Sequence, residues 1–236
     1  MAKRKRGPSR PRPASNGRAP KPAAQRTADV RPRPGRSWRR IAAIVIALLA
    51  AYVLVIRAKP PGTPSPAALG AATAAGCEDL ERPVVANPSR EHLSSGQAHV
   101  YPDPPASAGP HDPQPLEPDP QVHTQPVPET RAVHNLEHAY VLIYYRPSAE
   151  GGPSADVTDR LAAIANDDDR VIMAPDPDLP DGTGLALLAW NTRWLCPGTI
   201  TADQAATIAT SFVDAYRGTT NAPEAPRGLL GPLLTK

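Results

Sequence analysis

Two histidines four residues apart flank a glutamate at His134-x-x-Glu137-His138, inside the stretch "AVHNLEHAYVLIYY". Spacing decides what that pair can do. On a helix, residues four apart carry Cβ atoms about 5–6 Å from each other, close enough for two imidazoles to share one ion. On a strand the same two residues stand roughly 13 Å apart and cannot. The run "AYVLIYY" begins at once and reads as a buried strand, so a shared site requires a turn of helix that ends at about Ala139. Imidazoles with a carboxylate suit Zn²⁺ or Cu²⁺. With Met1 and Met173 as the sole thioethers, Cu⁺ handling is not expected.

The same five residues spell the zinc motif of the inverted metallopeptidases, in which the glutamate activates a metal-bound water. That chemistry needs the motif inside a long helix and a further acidic ligand from another helix, and the sequence around residue 134 offers neither. A third reading is structural: histidines at the mouth of a strand hydrogen-bond backbone carbonyls, or a carboxylate such as Glu137, and hold a loop in place. On these residues alone the three readings stay open. The chain holds no nucleophile elbow, no phosphate loop and no C-x-x-C, so a binding module is expected ahead of an enzyme. The run Asp167, Asp168, Asp169 lacks the ligand spacing of a calcium loop and reads as solvated; "APDPDLPDG" reads as turn chemistry.

The elements that must position these residues follow from periodicity. Residues 139–145 are β-branched and aromatic, a strand. "PSADVTDRLAAIAND" places Val157, Leu161, Ile164 and Ala165 on one helical face, with Ser154 as N-cap. "RVIMAP" is a short strand stopped by Pro175, and residues 185–190 form another. "TADQAATIATSFVDAYRG" opens with Thr201-x-x-Gln204, a capping box, and carries Ala205, Ile208, Ala209, Phe212 and Tyr216 as its apolar stripe. The order strand, helix, strand, strand, helix predicts an α+β class: one small mixed sheet with helices packed on it. Ten prolines within residues 101–128 exclude helix and central strand there and predict a Pro-rich loop, either a disordered insert or an extended segment pinned to the domain.

Charge is distributed unevenly. Residues 1–40 hold 14 Lys and Arg against one acid, while residues 57–236 hold 12 against 22 acids. The net +3 therefore conceals a basic head near +13 and an acidic body near −10. Between them, residues 41–56 ("IAAIVIALLAAYVLVI") carry no charge and would span roughly 24 Å as a helix. Basic flanks that snorkel make up the remainder of a bilayer core. The expected organisation is a disordered cytoplasmic tail (1–40), one N-terminal transmembrane helix (41–57), a Pro/Ala-rich linker (58–76), an extracytoplasmic domain (77–226) and a short tail (227–236). Basic excess sets the N-terminus inside, giving a single-pass protein of the cell membrane. The tail is expected on anionic lipid headgroups; with no aromatic residue before Trp38 for stacking, nucleic acid is not an expected partner. Cys77 and Cys196 both fall in the outer part, where two cysteines predict a disulfide.

Several segments together resemble DUF3105, a domain family of unknown function found in membrane-anchored bacterial proteins, many of them actinobacterial. "HVYPDPPASAGPH" resembles one family landmark, with an extra Ala108 before Gly109; "VHNLEHAY" resembles a second, with Ala139 where glycine is usual. "APDPDLP", "LALLAWNTRWLC" and "APEAP" follow in the expected order. The resemblance implies that the Pro-rich stretch belongs to the folded domain. It also implies that His99, His111, His134, Glu137 and His138 converge, and these five are the candidate metal ligands. It implies no reaction. The expected function is a tethered binding domain that takes a metal ion through this His/Glu cluster; the alternatives are a metal-dependent hydrolase using His134, Glu137 and His138, and a structural or protein-interaction module with an envelope partner.

Overall fold

The computed structural model describes residues 40–46 and 61–225. The chain divides into two compact units, Met1–Ile46 and Ala47–Lys236. In the first, residues 40–46 are helical. The rest of the expected membrane span, the basic tail before it and the C-terminal tail lie outside the described residues. Among the described residues no helix is long and apolar enough to cross a membrane.

The second unit is a mixed α+β domain built on a four-stranded sheet. Its strands are β1 (Val141–Tyr145), β2 (Val171–Pro175), β3 (Leu185–Ala189) and β4 (Thr192–Cys196), in the spatial order β2-β1-β3-β4. β1 and β2 are parallel and joined through a helix, as a parallel pair requires. β3 runs antiparallel to both β1 and β4. The helices are α1 (Pro66–Ala75), α2 (Glu129–Glu137), α3 (Ala155–Asn166) and α4 (Ala202–Tyr216).

Both faces of the sheet are buried, which is why "YVLIYY" and "LALLAW" read as continuous apolar runs rather than alternating ones. Val141, Ile143, Val171, Met173, Leu185, Leu187, Trp194 and Cys196 point to one side, against α1, α3 and α4. Leu142, Tyr144, Ile172, Ala174, Ala186, Leu188 and Leu195 point to the other, under α2 and the Pro-rich segment. The expected stripe of α4 is buried throughout, and its capping box forms in both directions between Thr201 and Gln204. In α3 the residues Val157, Leu161 and Ala165 are buried, with Ile164 half-buried beside them. Ser154 is its N-cap by backbone position, but its side chain makes no capping bond.

Two elements depart from the sequence reading, and a third takes one of the two forms expected of it. The expected linker contains α1, whose Ala68 and Ala72 are fully packed. Ser65 caps it by accepting from Ala68 N–H and Pro66 begins it, so a composition that reads as spacer also satisfies the rules for a helix start. β4 is an added strand, formed because Trp190 and Asn191 close a hairpin; Asn191 takes a left-handed φ of 52°. The Pro-rich stretch is neither helix nor regular strand and packs as a layer of coil, with Tyr101, Ala106, Ala108 and Leu116 buried.

That coil can be buried because its polar backbone groups find partners. Leu116 N–H donates to Asn135 Oδ1 at 2.8 Å, and Asn135 Nδ2 donates back to Leu116 O at 3.1 Å. Ala106 N–H donates to Glu129 Oε1 at 2.7 Å, and Tyr101 O–H to Pro110 O at 2.6 Å. Each proline also removes one N–H that would otherwise need an acceptor. The disulfide forms: Cys77 and Cys196 join the end of α1 to β4, with Cα atoms 4.0 Å apart.

Candidate metal centre

α2 decides the histidine question. It runs to Glu137, His138 closes it as C-cap, and Ala139 turns the chain with a left-handed φ of 66° before β1 begins. His134 and His138 are therefore one helical turn apart, on the same face, and their Nε2 atoms lie 2.9 Å from each other. The Gly-to-Ala departure at position 139 does not prevent the turn. It places an alanine, fully buried, in the conformation that glycine adopts more readily.

Three histidines form a group. One ring nitrogen from each of His92, His111 and His134 lies within 4.8 Å of the others. The 91–93 segment brings His92 there: Leu93 N–H donates to His111 O, His111 N–H donates to Glu91 O, and His92 and His111 form a parallel bridge. The rings of His92 and His134 stack at 5.3 Å and 11°, those of His134 and His138 at 4.9 Å and 16°. His111 stands edge-on to His92 and His134, and to Trp190 on its other side.

The buried members of the group are oriented from behind. His134 Nδ1–H donates to Asp112 O at 2.6 Å, and His111 Nδ1–H donates to Gly109 O at 2.9 Å. Gly109 has a φ of 131°, a region that favours glycine. In each case the hydrogen bond fixes the tautomer and leaves Nε2 as the lone-pair atom facing the group, the arrangement by which metal-ligating histidines are held. Burial holds the His134 imidazole below its ordinary pKa; the Asp112 carbonyl opposes this, and the three neighbouring histidines add to it. A neutral ring is the ligand form. His111 Nε2 is buried, lies 3.0 Å from Glu137 Oε2, and yet has no hydrogen bond of acceptable angle. The proximity is real and the alignment is poor, as for two groups that face a common third atom. Ligands about 2.0–2.1 Å from a tetrahedral ion lie roughly 3.3 Å apart. The three nitrogens, within 4.8 Å of one another, would draw closer to take one.

Around this group runs a closed circuit of charge. Glu137 is buried, with Oε2 toward His111 and Oε1 accepting from Arg90 Nε at 2.6 Å. Arg90 Nη2 donates to Glu224 Oε1 at 2.9 Å, and Glu224 Oε2 lies 3.7 Å from His138 Nε2. Glu224 is seated by its own N–H, which donates to Glu137 O. The wall is uneven: His111 and Glu137 are essentially inaccessible, while the side chains of Arg90, Glu224 and His138 are 49%, 42% and 37% exposed. His92 is exposed as well.

Of the residues the sequence singled out, His111, His134, Glu137 and His138 come together. His99 packs edge-on against Tyr101 at 4.6 Å and is not among the three histidines that group. His92 was not in the expected set, and Arg90 and Glu224 were not singled out; only "APEAP", which contains Glu224, carried a signal. His92 reaches the site through pairing between two coil segments, which leaves no periodic trace in the sequence.

The profile of the family described as "Protein of unknown function (DUF3105)" matches residues 92–228. The chain belongs to DUF3105. No curated protein and no solved structure matches it. The stretch of DUF3105 similarity begins at His92 itself and takes in every side chain of the circuit except Arg90.

Proposed function

We propose that this DUF3105 domain is a metal-binding module held outside the cytosol, with His92, His111 and His134 as the ligands of one divalent transition-metal ion. The single observation that carries this is the grouping of one ring nitrogen from each of His92, His111 and His134 within 4.8 Å, with Nδ1–H to carbonyl bonds on His111 and His134 that leave Nε2 of both as the lone-pair atom. His138 supplies a fourth imidazole. Its Nε2 stands 2.9 Å from that of His134, somewhat inside the roughly 3.3 Å that separates two ligands on a tetrahedral ion. Nitrogen ligands with a nearby carboxylate favour Cu²⁺ and Zn²⁺. Support for the location is the Cys77–Cys196 disulfide, which belongs to an oxidising compartment, and the basic-flanked apolar run ahead of the domain. The hydrolase reading draws less support. Glu137 has both oxygens engaged, by Arg90 and against His111, rather than turned toward a water.

The full-length chain, purified in detergent without chelators, is expected to carry or take up one Zn²⁺ or Cu²⁺ per molecule by elemental analysis. At a hundredfold excess over Kd the ion should stabilise it by about 2.7 kcal/mol, read as a rise in Tm, and His111→Ala and His134→Ala should each abolish both uptake and rise. No stoichiometric metal and no shift in Tm with either ion would end the reading.

A further inference from the structure

The exposed rim of the histidine group holds a carboxylate that the fold does not bury. Glu224 lies with one oxygen on the Arg90 guanidinium and the other toward His138. Arg90 is fixed at its inner end, where Nε meets the buried Glu137 carboxylate at 2.6 Å with side-chain exposures of 49% and 2%. Its outer end meets Glu224 across an exposed pair. These two halves differ in strength. A charge-assisted bond to a buried carboxylate holds the guanidinium in place, whereas an ion pair between two half-exposed side chains contributes little. A planar guanidinium anchored this way presents its outer N–H groups to whatever carboxylate stands at the mouth.

Resting on the metal reading above, we propose that the mouth of this site binds a carboxylate-bearing small molecule, which displaces Glu224 from Arg90 and completes the coordination of the ion. Four observations meet in this. The inner wall of His111, Glu137 and His134 is closed, so a fifth donor must come from the rim. The rim already holds a carboxylate spanning the guanidinium and an imidazole, which shows the chemistry it accommodates. Glu224 sits on the segment after α4, secured near α2 by one backbone bond, Glu224 N–H to Glu137 O, so its side chain can leave without unfolding the helix. A structural metal site is closed on all sides, whereas one that keeps a position for an outside ligand is open on one, and this wall is open on one. Glu224 then acts as an internal competitor whose local concentration sets the threshold for the outside ligand.

The test uses the full-length chain loaded with Co²⁺, whose visible absorption reports its ligands, titrated with acetate at constant ionic strength. Wild type is expected to respond weakly. Glu224→Gln, which removes the internal carboxylate, should bind acetate at least tenfold more tightly. Arg90→Ala should bind it at least tenfold more weakly than Glu224→Gln, and Arg90→Lys should fall between. If Co²⁺ binds but acetate leaves the spectrum of Glu224→Gln unchanged, or if all variants respond as wild type does, the carboxylate proposal is overturned and the metal reading survives. If wild type gives no ligand-field spectrum with Co²⁺ and takes up neither Zn²⁺ nor Cu²⁺, both fall.

Discussion

One face of the sheet is covered by three helices, α1, α3 and α4; the other by one nine-residue helix and a run of proline-rich coil. The helical face is held chiefly by packing of large, fully buried side chains such as Phe212, Leu187 and Trp194, with the Cys77–Cys196 disulfide beside them. The coil face has its own apolar cluster and is held as well by hydrogen bonds between individual side chains and coil backbone: Asn135 with Leu116, Glu129 with Ala106, Asn191 with Val85. Every member of the histidine group lies on the coil side. The contrast has a physical reason. Packed helices and strands place residues at fixed periods. A set of donors from positions 92, 111, 134 and 138 fits no period and needs chain that can be bent to order and then locked.

The largest expected effect tests the helical face. Phe212→Ala should destabilise the domain by about 3–5 kcal/mol in denaturant unfolding; metal uptake by the fraction that remains folded should be unchanged. On the coil face, Asn135→Ala leaves Leu116 N–H and C=O buried and unpaired, at a cost of about 1–3 kcal/mol for each such group. That variant should also lose metal affinity in calorimetric titration, because the 111–116 segment that Asn135 holds supplies His111 and the Asp112 carbonyl. Equal loss of metal affinity in both variants would erase the distinction between the faces.

The smallest effect concerns Glu129, which stands at the start of α2. Burial raises its carboxyl pKa; the Ala106 N–H opposes this, and Asp176 and Asp178 add to the rise. A carboxyl whose folded value lies above its unfolded value contributes stability that is present at low pH and lost as pH rises through the folded value. Glu129→Gln keeps an oxygen for Ala106 N–H and removes that loss. It should be slightly more stable than wild type at neutral pH, with the difference vanishing below the ordinary carboxylate range. A variant less stable than wild type at pH 7 would show that the ionised form is wanted, and Tyr144 O–H, buried and without a hydrogen bond, would be the group to examine.

The helical face was largely legible from the sequence. Its apolar residues recur at helical spacing, Thr201 and Gln204 announce a helix start, and two cysteines in a domain read as outside the cytosol announced their bond. β4 was harder, because Thr192 and Arg193 interrupt the apolar pattern while still pairing; Arg193 offsets its polarity with a salt bridge to Glu81. α1 was hidden in a composition shared by spacers and helices. On the coil face, the pair His134 and His138 was legible once a helical turn was supposed. His92 and Arg90 were not, since what brings them in is the pairing of residues 91 and 93 with His111, which depends on the finished fold.

The way the domain begins has a mechanical consequence. The chain enters at Gly62, bonded to Ala215 O, and passes through α1 to the covalent link at Cys77–Cys196. A pull at residue 62 is therefore received by α4 and, through the disulfide, by β4 of the sheet. The histidine group lies on the other face, under the coil, so force applied at the start of the domain enters on the side of the sheet that does not hold it.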